Sequence, residues 1–359
     1  MSYSGRNRLF MAKAETTEGT DSTPAVGTDD LAVLDASAGI SQEMEYADVM
    51  PATPQGGQMT GPLIGKRSSA SLSLPLYGKG LDGGSPDTII LPQWADVIMA
   101  SFCDTNIGST DETSCDITVN PINPRHTDNA GAVTDSKKTF TLYEYSAISG
   151  PLDTAGNKLL RKMTGCRVQR AVFNLPTRGI WTLDVDLVGL WVAASEVTTT
   201  LDGVGDWDDL TTNFVTGINA DWTIGASAQA LKSAGVTITI ETGADVAEGD
   251  DTTTGYTETF IRDFSVSGSY DAILPALGSY DMFADTTDEA DTTQALAMTA
   301  NGAFPAAQSG NDGYGVKIAV PNLQGSGDVD RGTPLRFSRT WTAKRSSSIT
   351  EAPVTISLL

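Results

Sequence analysis

Residues 166–192 carry the sequence CRVQRAVFNLPTRGIWTLDVDLVGLWV. Two apolar-rich runs, Cys166–Leu175 and Ile180–Val192, lie on either side of the turn residues Pro176–Gly179. Runs rich in β-branched and aromatic residues around a short turn with Pro and Gly are typical of an antiparallel β-hairpin. This stretch is the strongest β signal in the chain and predicts such a hairpin.

The second arm of the hairpin alternates between apolar and polar residues. Because successive side chains of a strand point to opposite faces, Asp184 and Asp186 fall on the face opposite the apolar residues. The apolar residues are Trp181, Leu183, Val185 and Leu187. The two aspartates are therefore candidates for a functional polar surface, and ordinary cross-strand pairing with arginines of the first arm is the alternative.

Outward from the hairpin, short runs with the same alternation continue along the chain. Further strands are predicted at Ser69–Tyr77, Thr139–Ser146, Val236–Glu241, Tyr256–Tyr270, Gly315–Val320, Pro334–Lys344 and Pro353–Leu359. Many short strands separated by turn residues favour an antiparallel β-sandwich or barrel.

One helix interrupts this pattern. Pro92 suits the first turn of a helix, and Trp94, Val97, Ile98 and Phe102 follow at the spacing of one helical face. This apolar stripe is expected to pack on the sheet. The predicted fold class is therefore mainly β, a sandwich or barrel with one flanking α-helix and an extended N-terminal arm and loops.

The N-terminal part is rich in Gly, Thr, Asp and Pro, with little periodicity. Residues 1–62 are therefore predicted to form an arm and loops, and residues 63–359 the β-sandwich domain. Residues of about 196–260 are a candidate insertion or subdomain. Residues 1–30 and 353–359 are expected to be mobile in the free monomer and ordered only between neighbouring copies.

Charge is distributed unevenly along the 359 residues, whose formal net charge is −22. Residues 179–330 hold three basic residues against 24 acidic ones, and the rest of the chain is nearly balanced. Because phosphate binding needs clustered Lys and Arg, this acidity argues against a protein that grips nucleic acid. Solvated acidic loops are the simplest interpretation, and a surface or channel kept negative to repel polyanions is the functional one.

The sequence contains few residues for catalysis or metal binding. The only histidine, His126, lies in a polar loop, and no nucleophile elbow, phosphate-binding loop or calcium loop is present. The three cysteines are expected to be free thiols, with a Cys103–Cys115 bridge as the alternative. We therefore predict no catalytic residues, no metal site and no cofactor. No apolar run is long enough for a membrane span.

Basic residues cluster near the hairpin and in the C-terminal strands. The hairpin set is Arg161, Lys162, Arg167, Arg170 and Arg178, and the C-terminal set is Arg331, Arg336, Arg339, Lys344 and Arg345. A nucleic-acid patch is one interpretation. A self-association surface, in which these residues meet the acidic middle of a neighbouring copy, is the one we favour.

Residues 13–24 read KAETTEGTDSTP. This string resembles the K-x-E-T-T-x-G-T-x-x-x-P opening of tail tube (major tail) proteins of long, non-contractile-tailed bacteriophages. The segments Thr139–Tyr145, Thr164–Val168 and Val316–Gln324 are similar to later sections of that family, in the same order.

The resemblance implies a structural virion protein that is not an enzyme. It implies hexameric rings that stack into a hollow tail tube, with arms and loops bridging adjacent rings and double-stranded DNA passing through without specific binding. The implied partners are other copies of the chain, the tape measure protein, the tail terminator and distal tail proteins, and no membrane. The implied location is the virion tail, after synthesis in the bacterial cytoplasm.

Residue roles follow as expectations from this resemblance. Asp184 and Asp186 are expected to face the lumen of the tube and repel DNA. The residues expected to act in an inter-ring arm are Arg6, Arg8, Lys13 and Glu15. The alternative for the acidic stretch is the outside of the tube, where it would prevent lateral bundling.

Two other function classes stay open at this point. An acidic β-rich surface protein, such as an adhesin or S-layer-like subunit, would be expected to carry an export signal and calcium. A carbohydrate hydrolase is the third alternative, and it would be expected to have a cleft lined with aromatic residues.

Overall fold

The computed structural model describes most of the chain. The described residues are 8–35, 38–47, 61–80, 89–106, 115–119, 139–147, 152, 156–198, 200–201, 214–218, 220–224, 229–230, 232–249, 252–273, 294–301, 314–330, 334–344 and 353–358. These residues form 20 strands and one helix.

The strands and the helix follow one another along the chain in this order. They are β1 (Arg8–Ala14), β2 (Asp30–Leu31), β3 (Gly39–Tyr46), β4 (Leu63–Pro75), α1 (Gln93–Phe102), β5 (Cys103–Asn106), β6 (Cys115–Val119), β7 (Phe140–Ala147), β8 (Lys158–Leu175), β9 (Thr182–Trp191), β10 (Ser195–Val197), β11 (Asp221–Ile224), β12 (Gln229–Ala230), β13 (Lys232–Glu241), β14 (Asp245–Glu248), β15 (Tyr256–Phe260), β16 (Ser265–Ile273), β17 (Gln294–Asn301), β18 (Gly315–Asp330), β19 (Arg336–Ala343) and β20 (Val354–Leu358).

The predicted hairpin forms the middle of an antiparallel sheet. β8 pairs with β9, so that Val172 lies opposite Asp184 and Arg170 opposite Asp186. Neighbouring strands extend the sheet in the spatial order β3-β4-β9-β8-β13-β16-β19-β18. We call this the central sheet.

Two long strands connect the central sheet to other strands of the same 18-stranded sheet. The first half of β8 pairs with β7, which pairs with β1, while its second half pairs with β13. β18 divides similarly, because its first half pairs with β17 and β20 and its second half with β19. The mainly β, antiparallel prediction is confirmed. Within the described strands the sheet does not close into a barrel, so the barrel alternative is wrong.

The core lies on the apolar face of the central sheet. Trp181 on the hairpin packs edge to face against Trp222, with 5.7 Å between ring centroids. The predicted helix is confirmed as α1, where Trp94, Val97 and Ile98 are fully buried. The Trp94 indole N–H donates a hydrogen bond to the Tyr77 carbonyl at 2.8 Å, which fixes the start of the helix against the core.

The expectation of a loose N-terminal arm is wrong for two segments of residues 1–62. β1 pairs with β7 along its whole length, and β3 pairs with β4 at the edge of the central sheet. In β1, Phe10 belongs to the main core and Leu9 to a second apolar cluster on the opposite face. A strand covered on both faces is apolar throughout and lacks the alternation that identifies half-exposed strands.

The C-terminal end also differs from its expectation. Residues 354–358 form β20, which pairs with β18 and β6 within the single chain, so they are not ordered only between copies. In the candidate insertion at 196–260, β13 belongs to the central sheet, while β14 and β15 form a separate two-stranded sheet. That insertion stays a prediction.

The hairpin core provides a test of this packing. Leu183 is fully buried, so we expect Leu183→Ala to lower the free energy of unfolding by about 2–5 kcal/mol, because it leaves a cavity. Thr182→Ala on the opposite face of the same strand is the matched control, expected to cost about 0.5 kcal/mol or less. Denaturant unfolding measures both, and equal losses would contradict the assigned faces.

Candidate functional site

The outward face of the central sheet is polar across seven strands. Because the strands pair in register, side chains at alternate positions form continuous rows, and none of the 23 side chains that make up the polar part of this face is buried. We call this surface the polar face. It consists of Ser71 and Ser73 from β4; Thr182, Asp184 and Asp186 from β9; Arg170, Val172 and Asn174 from β8; Thr237, Thr239 and Glu241 from β13; Ser265, Ser267, Ser269 and Asp271 from β16; Arg336, Ser338, Thr340 and Thr342 from β19; and Gln324, Ser326, Asp328 and Asp330 from β18.

Most of the polar face carries small hydroxyl groups. Twelve of its 23 side chains are Ser or Thr, six are carboxylates and two are arginines. All six carboxylates belong to the acidic stretch 179–330. The face is therefore net negative and rich in groups that can hydrogen-bond to water.

Asp184 and Asp186 both lie on the polar face. The Ser71 hydroxyl donates to Asp186 Oδ1 at 2.7 Å, and the Ser73 hydroxyl donates to Asp184 Oδ1. The Asn174 amide donates to Asp184 Oδ2. These donors are neutral, so they orient the carboxylates without cancelling their charge.

The two arginines of the polar face each lie beside an acid on a neighbouring strand. Arg170 Nε is 3.7 Å from Glu241 Oε1, and Arg336 Nε is 2.6 Å from Asp271 Oδ2. The face therefore presents each of its cations next to an opposite charge.

The β14–β15 hairpin bounds the polar face at one end. Val246 of this hairpin packs with Val188, which lies on the same face of β9 as Asp186 but is buried. Here apolar residues replace polar ones because the small second sheet covers them.

The basic cluster around the β8–β9 hairpin is not an open cationic patch. Three of its members lie in ion pairs within the chain, at 2.8 Å for Arg161–Glu144, 2.8 Å for Lys162–Asp21 and 3.3 Å for Arg167–Glu18. This arrangement disfavours the nucleic-acid interpretation, because the charges that would bind phosphate already have acidic partners.

The four residues expected in an inter-ring arm have different surroundings. Arg6 lies outside the described residues. Arg8 pairs with the buried Glu144 at 3.2 Å, and Lys13 lies 3.6 Å from Asp29. The described members therefore have partners within their own chain, and their role between rings stays a prediction.

Glu15 is the centre of a buried hydrogen-bond site. Its Oε1 accepts bonds from the Gly165 N–H and the Thr141 hydroxyl, both at 2.8 Å. Its Oε2 accepts the Gly19 N–H at 2.8 Å and the Thr139 hydroxyl at 2.6 Å. Both Gly19 and Gly165 have positive φ, at 73° and 59°, a conformation that favours glycine.

This site joins segments that are far apart in sequence. Residues 13–24, Thr139–Tyr145 and Thr164–Val168, which carried the family resemblance, meet at the Glu15 carboxylate. This internal role of Glu15 could not be predicted from local sequence, because three of its four donors lie more than 100 residues away. The sequence feature that could have indicated this role is an acidic residue followed four positions later by a glycine, as in Glu15 and Gly19.

Asp21 lies in the same N-terminal segment. Burial alone raises the pKa of its carboxyl. Hydrogen bonds from Lys162, Tyr143 and the Thr23 N–H together lower this pKa by more, so the net pKa lies below the usual value. The Tyr143 hydroxyl donates at 2.6 Å. Burial, followed by this bond to Asp21, raises the pKa of Tyr143.

Cys166 is a free, fully buried thiol, as expected. Burial, and then the nearby Glu15 carboxylate, raise its pKa well above the usual value, which keeps it a thiol. His126 lies outside the described residues, and so do the acidic segments 202–209 and 281–291.

Neither a metal centre nor a membrane span is found among the described residues. Within those ranges, no group of three or more His, Cys, Asp or Glu could hold a metal ion. Over the same part of the chain, no helix has the length and apolar character needed to span a membrane.

The Glu15 site gives a stability prediction. We expect Glu15→Gln to lower the free energy of unfolding by about 2–4 kcal/mol, because an amide NH₂ would replace an oxygen that accepts two hydrogen bonds. Glu196→Gln, at an exposed position on β10, is the matched control and should cost about 0.5 kcal/mol or less. Thermal unfolding compares the variants. Equal stability would show that the buried carboxylate is not important for folding.

A second prediction concerns pH. Because the Asp21 pKa is lower in the folded state, its stabilisation is present above the unfolded pKa of about 3.9 and is lost as the pH falls through the folded value. We expect Asp21→Asn to destabilise the protein by about 1 kcal/mol at pH 7 and progressively less below about pH 4. Unfolding at several pH values measures this loss, with Asp263→Asn, at an exposed turn, as the control. A destabilisation that does not depend on pH would contradict it.

The comparisons with known proteins agree with the fold. No curated protein matches the chain. The family model described as phage tail tube protein matches residues 5–343. This family is structural rather than enzymatic, its place is the virion tail, and membership implies self-assembly together with other tail proteins. Because the match covers nearly the whole chain, the protein belongs to the phage tail tube protein family.

Proposed function

We propose that copies of this chain form hexameric rings that stack into a hollow tube, and that the polar face lines its bore. Double-stranded DNA passes along this bore from the capsid to the host. The observation that carries the proposal is the polar face itself, a hydroxyl-rich sheet surface with six carboxylates and two arginines.

The charge of the polar face suits passage better than binding. A DNA duplex carries one negative charge per roughly 1.7 Å, so a cationic wall would hold it through release of counterions. Asp184 and Asp186, held by neutral donors, repel the phosphates instead. The Ser and Thr hydroxyls bind water, which leaves a hydrated layer between the wall and the DNA.

The edges of the central sheet support self-assembly. Among the described strands, β3 pairs on one side only, with β4, and residues 324–330 of β18 pair only with β19. Unpaired strand edges readily pair with another chain. We infer that these edges contact neighbouring copies in a ring.

The remaining partners follow from the family. Tape measure protein, tail terminator and distal tail proteins are the proposed neighbours along and at the ends of the tube, in a long, non-contractile tail. The segments around Arg6, Arg8, Lys13 and Glu15 and the candidate insertion at 196–260 are proposed to contribute contacts between rings.

The charge of the polar face can be reversed to test its role. We expect Asp184→Lys combined with Asp186→Lys to leave hollow tubes of even diameter in negative-stain images while slowing DNA release from purified particles. The expected cause is attraction between lysine and phosphate. DNA release is followed with a fluorescent DNA-binding dye.

A charge-matched pair of variants controls this experiment. Asp184→Asn combined with Asp186→Asn changes the net charge by as much as Glu196→Lys, which lies outside the polar face. The Asn pair should slow release more than Glu196→Lys. Normal release kinetics in the double-lysine variant would refute the proposed position of the polar face.

A further inference from the structure

Arg336 is the more tightly held cation of the polar face. Its Nε donates to Asp271 Oδ2 at 2.6 Å, and its Nη2 donates to the Asp271 backbone carbonyl at 2.8 Å. Both groups belong to one residue of the neighbouring strand, so the guanidinium lies along β16.

Asp271 is itself fixed in position. Its second carboxylate oxygen, Oδ1, accepts the Ser338 hydroxyl at 3.1 Å. On the other side of β19, Asp330 lies directly opposite Arg336 in the register with β18. Arg336 therefore pairs with Asp271 on one side and has an acidic residue as its backbone partner on the other.

The expected contribution of this ion pair to stability is small. The Arg336 and Asp271 side chains retain 29% and 46% of their exposure. Ion pairs this exposed contribute about 0–1 kcal/mol, since water screens them. Arginine binds phosphate strongly, because its planar guanidinium donates two parallel hydrogen bonds to the oxygens.

We propose that Asp271 masks Arg336 and so prevents the guanidinium from binding the phosphates of passing DNA. Asp271 acts as a positioning residue, because it accepts hydrogen bonds from Nε and Nη2 of the arginine and does not itself act on DNA. The inference rests on the proposed function, since it requires DNA to pass along the polar face. Arg170 and Glu241 form a looser version of the same pair, 3.7 Å apart and more exposed.

The test compares two variants that remove one negative charge from the same face. Asp271→Asn weakens the hold on Arg336, whereas Asp328→Asn removes an exposed carboxylate that accepts the Val329 N–H. We expect Asp271→Asn to slow DNA release from purified particles about tenfold, the factor that corresponds to one charge-assisted hydrogen bond. We expect Asp328→Asn to leave release close to wild type.

A double variant separates masking from damage to the fold. Asp271→Asn combined with Arg336→Gln removes the uncovered cation, so the rate of release should return to within about twofold of wild type. A twofold change is smaller than the change expected from the loss of one hydrogen bond. The defect of Asp271→Asn alone should also shrink as salt is raised, because salt weakens binding to phosphate. Negative-stain images and thermal unfolding confirm that each variant assembles.

Each other outcome has a distinct meaning. Equal slowing by Asp271→Asn and Asp328→Asn would show that net charge alone acts, and would overturn masking. Normal release in Asp271→Asn, with slow release in the double-lysine variant at 184 and 186, would overturn masking and leave the proposed function standing. Normal release in both would refute the proposed function itself. A defect that the double variant does not rescue would assign Asp271 a structural role only.

Discussion

The structure depends on the alternation of side chains along the seven strands from β4 to β18, which is interrupted locally by bulges between Thr164 and Arg170 of β8 and between Lys232 and Gly235 of β13. At each strand one set of residues fills the core and the other set forms the polar face, as Leu183 and Asp184 do on β9. A slip of one residue in register would bury Asp184 and Asp186 and expose the core residues. Burying unpaired carboxylates costs so much free energy that the slipped register is strongly disfavoured. The core, the strand order and the negative surface are therefore fixed by the same constraint.

The contacts of β7 with its surroundings depend on buried carboxylates instead. Glu144 is fully buried and accepts hydrogen bonds from Arg161 and the Ile40 N–H, which links β7 to β8 and β3. Glu15 holds the loop after β1 against β7 and β8. The segment that resembles other tail tube proteins is thus a structural connection within the chain, and it holds the residues after β1 against β7 and β8.

Local patterns predicted the hairpin, the helix and ten of the 20 described strands, because half-buried elements show their periodicity directly. β1 was missed because both of its faces are covered, so its sequence has no alternation. The carboxylates Asp184 and Asp186 could be assigned to a polar face from one strand alone. The extension of that face to Asp271 and Arg336 could not, because it depends on pairing between strands far apart in sequence.

Electron cryo-microscopy of isolated tail tubes would show which way the polar face is turned in the assembled tube. We expect a bore lined by the hydroxyls of β16 and β19 together with Asp184 and Asp186, with Arg336 held against Asp271. A bore lined by uncovered Lys and Arg side chains, or a polar face turned to the outside of the tube, would contradict it.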